Sequence, residues 1–73
     1  MRPYNLKPGD RFRIPNACDP AETAHLYEVM SIEVKTAELS GREVPVKVLI
    51  DARIDDGPVE SVAIGPWVEV VRM

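Results

Sequence analysis

Apolar and polar residues alternate along most of this 73-residue chain, and valine is frequent among the apolar ones. A spacing of two positions is typical of β-strands with one buried face, whereas a helix places apolar residues every three to four positions. Turn-forming residues separate the alternating segments. The pattern therefore predicts an all-β fold of five strands, at about residues 10–14, 26–37, 43–54, 59–64 and 68–72.

The segments between these strands contain residues typical of tight turns. In Lys7–Asp10, proline presets φ at the first central position and glycine accepts a positive φ at the second. Asp55–Pro58 predicts another turn. Asp19 is a good helix N-cap, and proline follows it at the first helical position, so one short helical turn is predicted near residues 19–23.

The two long central strands are expected to form a hairpin with their even-numbered residues facing inwards. Pairing even with even positions requires an odd number of loop residues, and Leu39–Gly41 supplies a three-residue loop with glycine in the left-handed position. This register places Val34 opposite Val46. On the outer face it places three pairs of residues opposite each other: Tyr27 and Arg53, Glu33 and Lys47, and Glu38 and Arg42.

The inward positions of all five strands define the predicted core. A small closed antiparallel barrel buries this much valine and leaves little exposed strand edge. Pro45 has no N–H, so the hairpin tip that carries it should project beyond the next strand. The residues expected to be largely buried are Phe12, Met30, Ile32, Val46, Val48, Ile50, Val62, Ile64, Val68 and Val70.

Length and cysteine content limit the kind of protein this is. A chain of 73 residues forms a single domain, residues 1–73, with one small core. Cys18 is the only cysteine, which excludes an intramolecular disulfide and suits a reducing compartment. No apolar run approaches the roughly 18 residues needed to cross a membrane. We therefore expect a soluble, cytoplasmic domain with no membrane partner.

Residues able to support catalysis or metal binding are few. His25 is the only histidine, and a thiolate–imidazole pair with Cys18 would need a cleft and a third, orienting group. The acidic residues between Asp51 and Glu60 lack the alternating spacing of a calcium-binding loop. We therefore expect no enzymatic activity, no metal ion and no cofactor.

Two segments resemble the Src-homology-3-like barrels. The segment NLKPGDRFRIPN is similar to that family's diverging turn and following strand, and GPWVEVV is similar to its final 3₁₀ turn and last strand. The resemblance implies a five-stranded barrel, with Trp67 at the position of an aromatic residue that lines the family's groove for proline-rich peptides. The family's paired tryptophans at the start of its third strand have no counterpart in this chain. We therefore expect the family's barrel fold in this chain, but not its proline-rich peptide ligand.

Trp67, the only tryptophan, has two alternative placements. If Val68 and Val70 face inwards, Trp67 faces outwards and serves as an anchor for a partner. Alternatively, Gly65 and Pro66 swing the indole over the open end of the barrel as a lid. The two placements differ in their cost on truncation, because an anchor can be cut to alanine with little loss of stability and a lid cannot.

The outer residues predict a binding function. The first strand is expected beside the last, which would place outward arginines next to Trp67, unless Arg11 or Arg13 pairs with Glu69 instead. We interpret the chain as a non-catalytic protein-interaction or assembly module. The alternative is a nucleic-acid-binding barrel, which the net charge of −3 disfavours. The predicted partner-binding residues are Trp67, Tyr27, Arg11, Arg13 and Arg53.

Overall fold

The computed structural model describes residues 1–15 and 23–73. A short 3₁₀ helix, Pro3–Asn5, comes before the first strand. The helical turn predicted near residues 19–23 lies, apart from Thr23, outside the described residues. The strands are β1 (Arg11–Arg13), β2 (Tyr27–Leu39), β3 (Arg42–Ile54), β4 (Val59–Ile64) and β5 (Val71–Arg72).

These strands form one antiparallel sheet in the order β4-β3-β2-β1-β5, so the predicted all-β fold is confirmed. β1 lies between β2 and β5, as expected from the sequence. The predicted closed barrel is wrong, because β4 and β5 form the two edges of an open sheet. β5 begins only at Val71, although the sequence predicted a strand from residue 68. Before it the chain makes a turn that is closed by a hydrogen bond from the Val68 amide to the Gly65 carbonyl (3.1 Å).

The hairpin between β2 and β3 closes through two residues, not the predicted three. Ser40 and Gly41 both have positive φ, +54° and +77°, which is the conformation of a type I′ turn. Leu39 pairs with Arg42 directly across the turn. The positive φ expected at the loop glycine is therefore confirmed, and the loop length is wrong.

Two irregularities set the register of this hairpin. Met30 on β2 and Val46 on β3 each lack a directly opposite residue, as in β-bulges. Between the two bulges Val34 lies opposite Val48, so the predicted pairing of Val34 with Val46 is wrong. Ile50 lies opposite Ile32, and even positions still pair with even ones in this stretch.

The core lies on the inner face of the sheet. Phe12, which is fully buried, stacks on Tyr27 with ring centroids 5.1 Å apart and an interplanar angle of 18°. Of the predicted core, Phe12, Val48, Ile50, Ile64 and Val70 are buried, whereas Ile32, Val62 and Val68 are partly buried against them. Leu6, Ile14, Tyr27, Val29 and Ala52 are buried as well.

Met30 and Val46 are the errors in the predicted core. Their side chains are 44% and 45% exposed. Both sit at the bulges, where the extra residue shifts the alternation: on β2 odd positions are buried before Met30, and even positions turn inwards after it. One bulge on each strand keeps Ile32 and Ile50 inside at the expense of these two side chains.

The tip of the β2–β3 hairpin projects beyond its neighbours, as Pro45 predicted. β4 pairs with β3 only between Val48 and Arg53, so within residues 1–15 and 23–73 the segment from Arg42 to Lys47 has no partner on that side. Hydrogen-bonded and non-hydrogen-bonded pairs alternate from the two-residue turn, which makes Pro45 opposite Thr36 a non-hydrogen-bonded pair. The proline nitrogen therefore faces the open edge, where no donor is required.

Candidate functional site

The turn between β4 and β5 presents Trp67 to solvent. Pro66 is buried, whereas the side chain of Trp67 is 72% exposed. The turn is closed by a hydrogen bond from the Val68 amide to the Gly65 carbonyl oxygen, at 3.1 Å. The outward placement predicted from the alternation is therefore confirmed, and Trp67 does not act as a lid.

Gly65 allows the indole to lie against the backbone of this turn. A Cβ atom at position 65 would come within 2.8 Å of Cε2 and Cζ2 of Trp67, closer than van der Waals contact allows. The ring therefore rests on the glycine, supported on one side and open to solvent on the other. Any larger residue at position 65 would move the indole while leaving it on the surface.

The first residues of the chain hold the same turn from the other side. The Arg2 guanidinium donates a hydrogen bond to the Trp67 carbonyl oxygen and lies 3.7 Å from the Glu69 carboxylate. The Met1 amine binds the other Glu69 oxygen, and the Val70 amide donates to the Met1 carbonyl at 2.9 Å. The hydrogen bond and the positive charge of the Met1 amine lower the pKa of Glu69, and the charge of Arg2 lowers it further, by a smaller amount. The backbone around position 67 is therefore held in place by hydrogen bonds and ion pairs with Met1 and Arg2.

The indole forms one side of a shallow groove of about 270 Å³, which we call the Trp67 groove. It lies where β4 ends while β3 continues past it. Most of its lining is apolar, and among residues 1–15 and 23–73 Lys47 is its only charged member. The residues that line it are Val46, Lys47, Ala63, Ile64, Gly65 and Trp67.

Lys47 has no carboxylate partner among residues 1–15 and 23–73. The residue opposite it on β2 is Lys35, another cation, where the sequence-based register had placed Glu33. Lys35 is itself paired with Glu33, whose carboxylate oxygen is 2.8 Å from the lysine nitrogen. Within the described part of the chain, the Trp67 groove therefore contains one positive charge without a carboxylate partner.

The predicted patch of arginines around Trp67 is not assembled. Arg11 and Arg53 flank Glu28 in adjacent strands, and Arg11 Nε lies 4.0 Å from Glu28 Oε2. Lys47, in the Trp67 groove, and Arg53 are six positions apart on β3, which corresponds to about 20 Å along the strand. Arg11 and Arg53 therefore form a separate outer row far from the indole.

The other two predicted site residues are engaged in other contacts. Tyr27 is only 4% exposed, so its predicted outward placement is wrong. It pairs with Ile54 instead of Arg53 because Met30 forms a bulge farther along β2. Arg13 is half-buried and donates to the Ala24 carbonyl at 3.1 Å, so neither it nor Arg11 pairs with Glu69.

Two aspartates have their charge stabilised by local hydrogen bonds. The hydroxyls of Ser61 and Ser31 donate to Asp51 at 2.8 and 2.9 Å, and both bonds lower the pKa of Asp51. The Leu26 amide donates to Asp55 at 2.8 Å, and with His25 it lowers the pKa of Asp55. Asp51 lies over a second depression of the outer face, but its oxygens are already engaged by hydroxyl groups.

We expect stability to fall in acid because of these two aspartates. Their pKa values lie below the ordinary 3.8 in the folded state, so the unfolded chain takes up protons first as pH decreases. The stabilisation is complete above about pH 5, well above the unfolded pKa, and is lost as pH falls through the folded pKa values. Thermal melts between pH 7 and 2.5 should show this decline. Asp51→Asn should show a shallower one, and an unchanged decline would contradict the assignment.

Comparisons with protein-family models, curated proteins and solved structures found no match to this chain. Within residues 1–15 and 23–73, no three or more histidine, cysteine or acidic side chains stand where they could hold a metal ion. The same part of the chain contains no helix long and apolar enough to cross a membrane. The groove's own geometry is therefore the basis for the functional argument.

Sequence reasoning found Trp67 and missed the rest of its groove. Val46 was expected in the core, because alternation alone does not show where a bulge interrupts a strand. Lys47 was expected to face a glutamate, and the actual register gives it a lysine instead. Gly65 carried a usable signal, since a glycine two positions before a lone exposed tryptophan allows close contact between ring and backbone.

Proposed function

We propose that this chain is a non-catalytic protein-interaction module that contacts its partner through the Trp67 groove. The observation that carries the proposal is an indole that is 72% exposed yet rests on Gly65. A monomeric domain gains nothing from leaving its largest apolar side chain in water. Partners, by contrast, gain several kcal/mol by burying such a residue, roughly 2 or more at a binding hot spot.

The fixed position of the ring supports this interpretation. A side chain held in place before binding loses little further entropy when a partner covers it, and that cost is about 0.5–1.5 kcal/mol for a free rotamer-rich side chain. The Gly65 contact and the Arg2 bond to the Trp67 carbonyl both fix this turn. The groove next to it supplies apolar walls for a second side chain from the partner.

We also propose that the fold is Src-homology-3-like. The pairing of β1 with both β2 and β5, and the single turn at residues 65–68 that carries a proline and a tryptophan before the last strand, support this. The open edge between β4 and β5 is where this chain differs from a closed barrel. The Trp67 groove lies beside the end of β4, at this opening.

Nucleic-acid binding is the weaker candidate. Base stacking on an aromatic ring is usually combined with a positively charged groove that follows the phosphates. Here Arg11 and Arg53 lie in a row with Glu28, far from Trp67, and the chain carries a net charge of −3. Of the residues that the structure describes, only Lys47 adds positive charge to the groove itself.

Trp67→Ala should abolish partner capture while changing the melting temperature by only a few degrees, because the indole contributes little to the core. The measurement is affinity capture from lysate of the source cells, with nuclease treatment, alongside a thermal melt of the purified protein. Binding of any captured partner should depend weakly on salt, whereas phosphate contacts would make it fall steeply.

Val59→Ala is the control for exposed apolar surface. Val59 is 48% exposed and lies opposite Arg53, at the far end of β4 from the groove. This variant should capture the same partner as the wild-type protein. Capture that survives Trp67→Ala, or that disappears equally with Val59→Ala, would contradict the proposed surface. A loss of capture on nuclease treatment would instead support nucleic-acid binding.

A further inference from the structure

We infer that the Trp67 groove binds a peptide segment in which an apolar side chain stands next to a carboxylate. This inference rests on the proposed function and specifies the chemistry of the partner. The apolar side chain would lie between Trp67, Val46 and Ile64, and the carboxylate would meet Lys47. The apolar contact and the contact with Lys47 each rest on a separate observation.

The acidic half follows from the charges around the groove. Lys47 is an exposed cation that faces Lys35 across the hairpin and has no carboxylate partner in the described chain. The carboxylates on either side are occupied, Glu33 by Lys35 and Glu69 by the Met1 amine and Arg2. Two lysines directly opposite each other destabilise a strand pair, so an anion placed at Lys47 also relieves a repulsion within the protein.

The apolar half follows from the size and lining of the groove. A volume of about 270 Å³ lies at or below the roughly 300 Å³ lower bound of ordinary small-molecule pockets. It suits one or two side chains of a peptide better than a whole cofactor. Trp67 and Val46 both present exposed apolar surface to it.

The peptide is held by its side chains and not by strand addition. A strand added along the open edge of β3 would need donors between Arg42 and Lys47. Pro45 interrupts that row, because its nitrogen faces the edge and carries no hydrogen. The bulge at Val46 disturbs the ladder further. Specificity therefore depends on Trp67 and Lys47.

Nuclear magnetic resonance titration with short peptides tests this inference directly. The probes are acetylated tetrapeptide amides: Gly-Leu-Glu-Gly, the reversed-order Gly-Glu-Leu-Gly, Gly-Leu-Lys-Gly and Gly-Ser-Glu-Gly. Because Trp67 is the only tryptophan, its indole N–H gives a single resonance that reports occupancy of the groove. At least one leucine–glutamate peptide should shift that resonance saturably, and should bind about fivefold more tightly than the lysine peptide. The serine peptide should not bind.

Charge reversal at the groove provides the decisive control. Lys47→Glu should invert the preference, so that the lysine peptide binds more tightly than the glutamate peptides. Lys7→Glu changes the same charge on the Lys7–Asp10 turn, which bonds to Val29 and does not line the groove, and should leave the preference unchanged. The protein's net charge of −3 attracts the lysine peptide overall, so a non-specific effect of charge has the opposite sign.

The outcomes separate this inference from the proposed function. Equal binding of glutamate and lysine peptides, or no response of the indole to either glutamate peptide, would overturn the acidic-peptide inference. If Trp67-dependent capture of a protein partner persists in that case, the interaction function stands without it. If capture is also insensitive to Trp67→Ala, both are overturned.

Discussion

Phe12→Ala should remove most of the protein's stability at 25 °C. Phe12 is fully buried and stacks on Tyr27, and truncating a core phenylalanine costs about 3–5 kcal/mol. A single domain of this size has a total stability on the order of 5 kcal/mol. Circular dichroism during urea and thermal unfolding would show a lost or strongly shifted transition.

The burial of Phe12 is the specific cause of that loss. Phe12→Leu keeps an apolar side chain in the same space and should retain a cooperative transition, though at lower urea. Val59→Ala, on exposed surface, should stay within about 0.5 kcal/mol of the wild-type protein. A cooperative melt of Phe12→Ala close to that of the wild-type protein would show that the Phe12–Tyr27 stack is not the centre of the core.

Sequence alone predicted the strands well because local chemistry determines them. The predicted range 43–54 differs by one residue from β3, and the predicted range 59–64 matches β4. The turn at Lys7–Asp10 also follows from its residues. Gly9 has the positive φ (+94°) that a type II turn requires after Pro8, and the Asp10 amide bonds to the Lys7 carbonyl at 3.0 Å. Backbone preferences of single residues decide such features.

The pairing of the two long strands was predicted less well, because it depends on competing terms of similar size. The sequence-based register faced Glu38 with Arg42, and each such pair favours its register by only about 0.2–1 kcal/mol. The structure faces Glu38 with Glu43 instead. The two-residue Ser40–Gly41 turn and the burial of Ile50 outweigh this repulsion. No single residue in the sequence shows how charge pairing, turn type and burial balance, so the bulges could not be located in advance.

The candidate site was predicted in its centre but not in its surroundings. The alternation of inward and outward residues correctly placed Trp67 on the outside. That prediction depends only on Val70 facing inwards, and Val70 is fully buried. The arginines were expected beside it because β5 was taken to start at residue 68. The chain turns there instead, and Glu69 is tied to the Met1 amine. Contacts between the two ends of a chain have no local signature in the sequence.

Ile50→Ala and Met30→Ala provide a direct test of the bulged register. Strict alternation places both side chains in the core, facing each other, and predicts similar losses on truncation. In the structure Ile50 is 1% exposed and lies opposite Ile32, whereas Met30 is 44% exposed and unpaired. Ile50→Ala should therefore cost about 2–5 kcal/mol of unfolding free energy. Met30→Ala should lower the free energy of unfolding by much less than about 2 kcal/mol.

Urea unfolding of the two variants, followed by circular dichroism, gives the comparison, and similar m-values would show that the unfolded states are alike. Val46→Ala extends the test to the other bulge, because Val46 is also half exposed and unpaired. It should resemble Met30→Ala and differ from Val48→Ala, whose side chain is fully buried on the same strand. If Met30→Ala and Val46→Ala instead destabilise the protein as much as Ile50→Ala, the two bulges are absent in solution. The hairpin would then have the uninterrupted alternation that the sequence suggests.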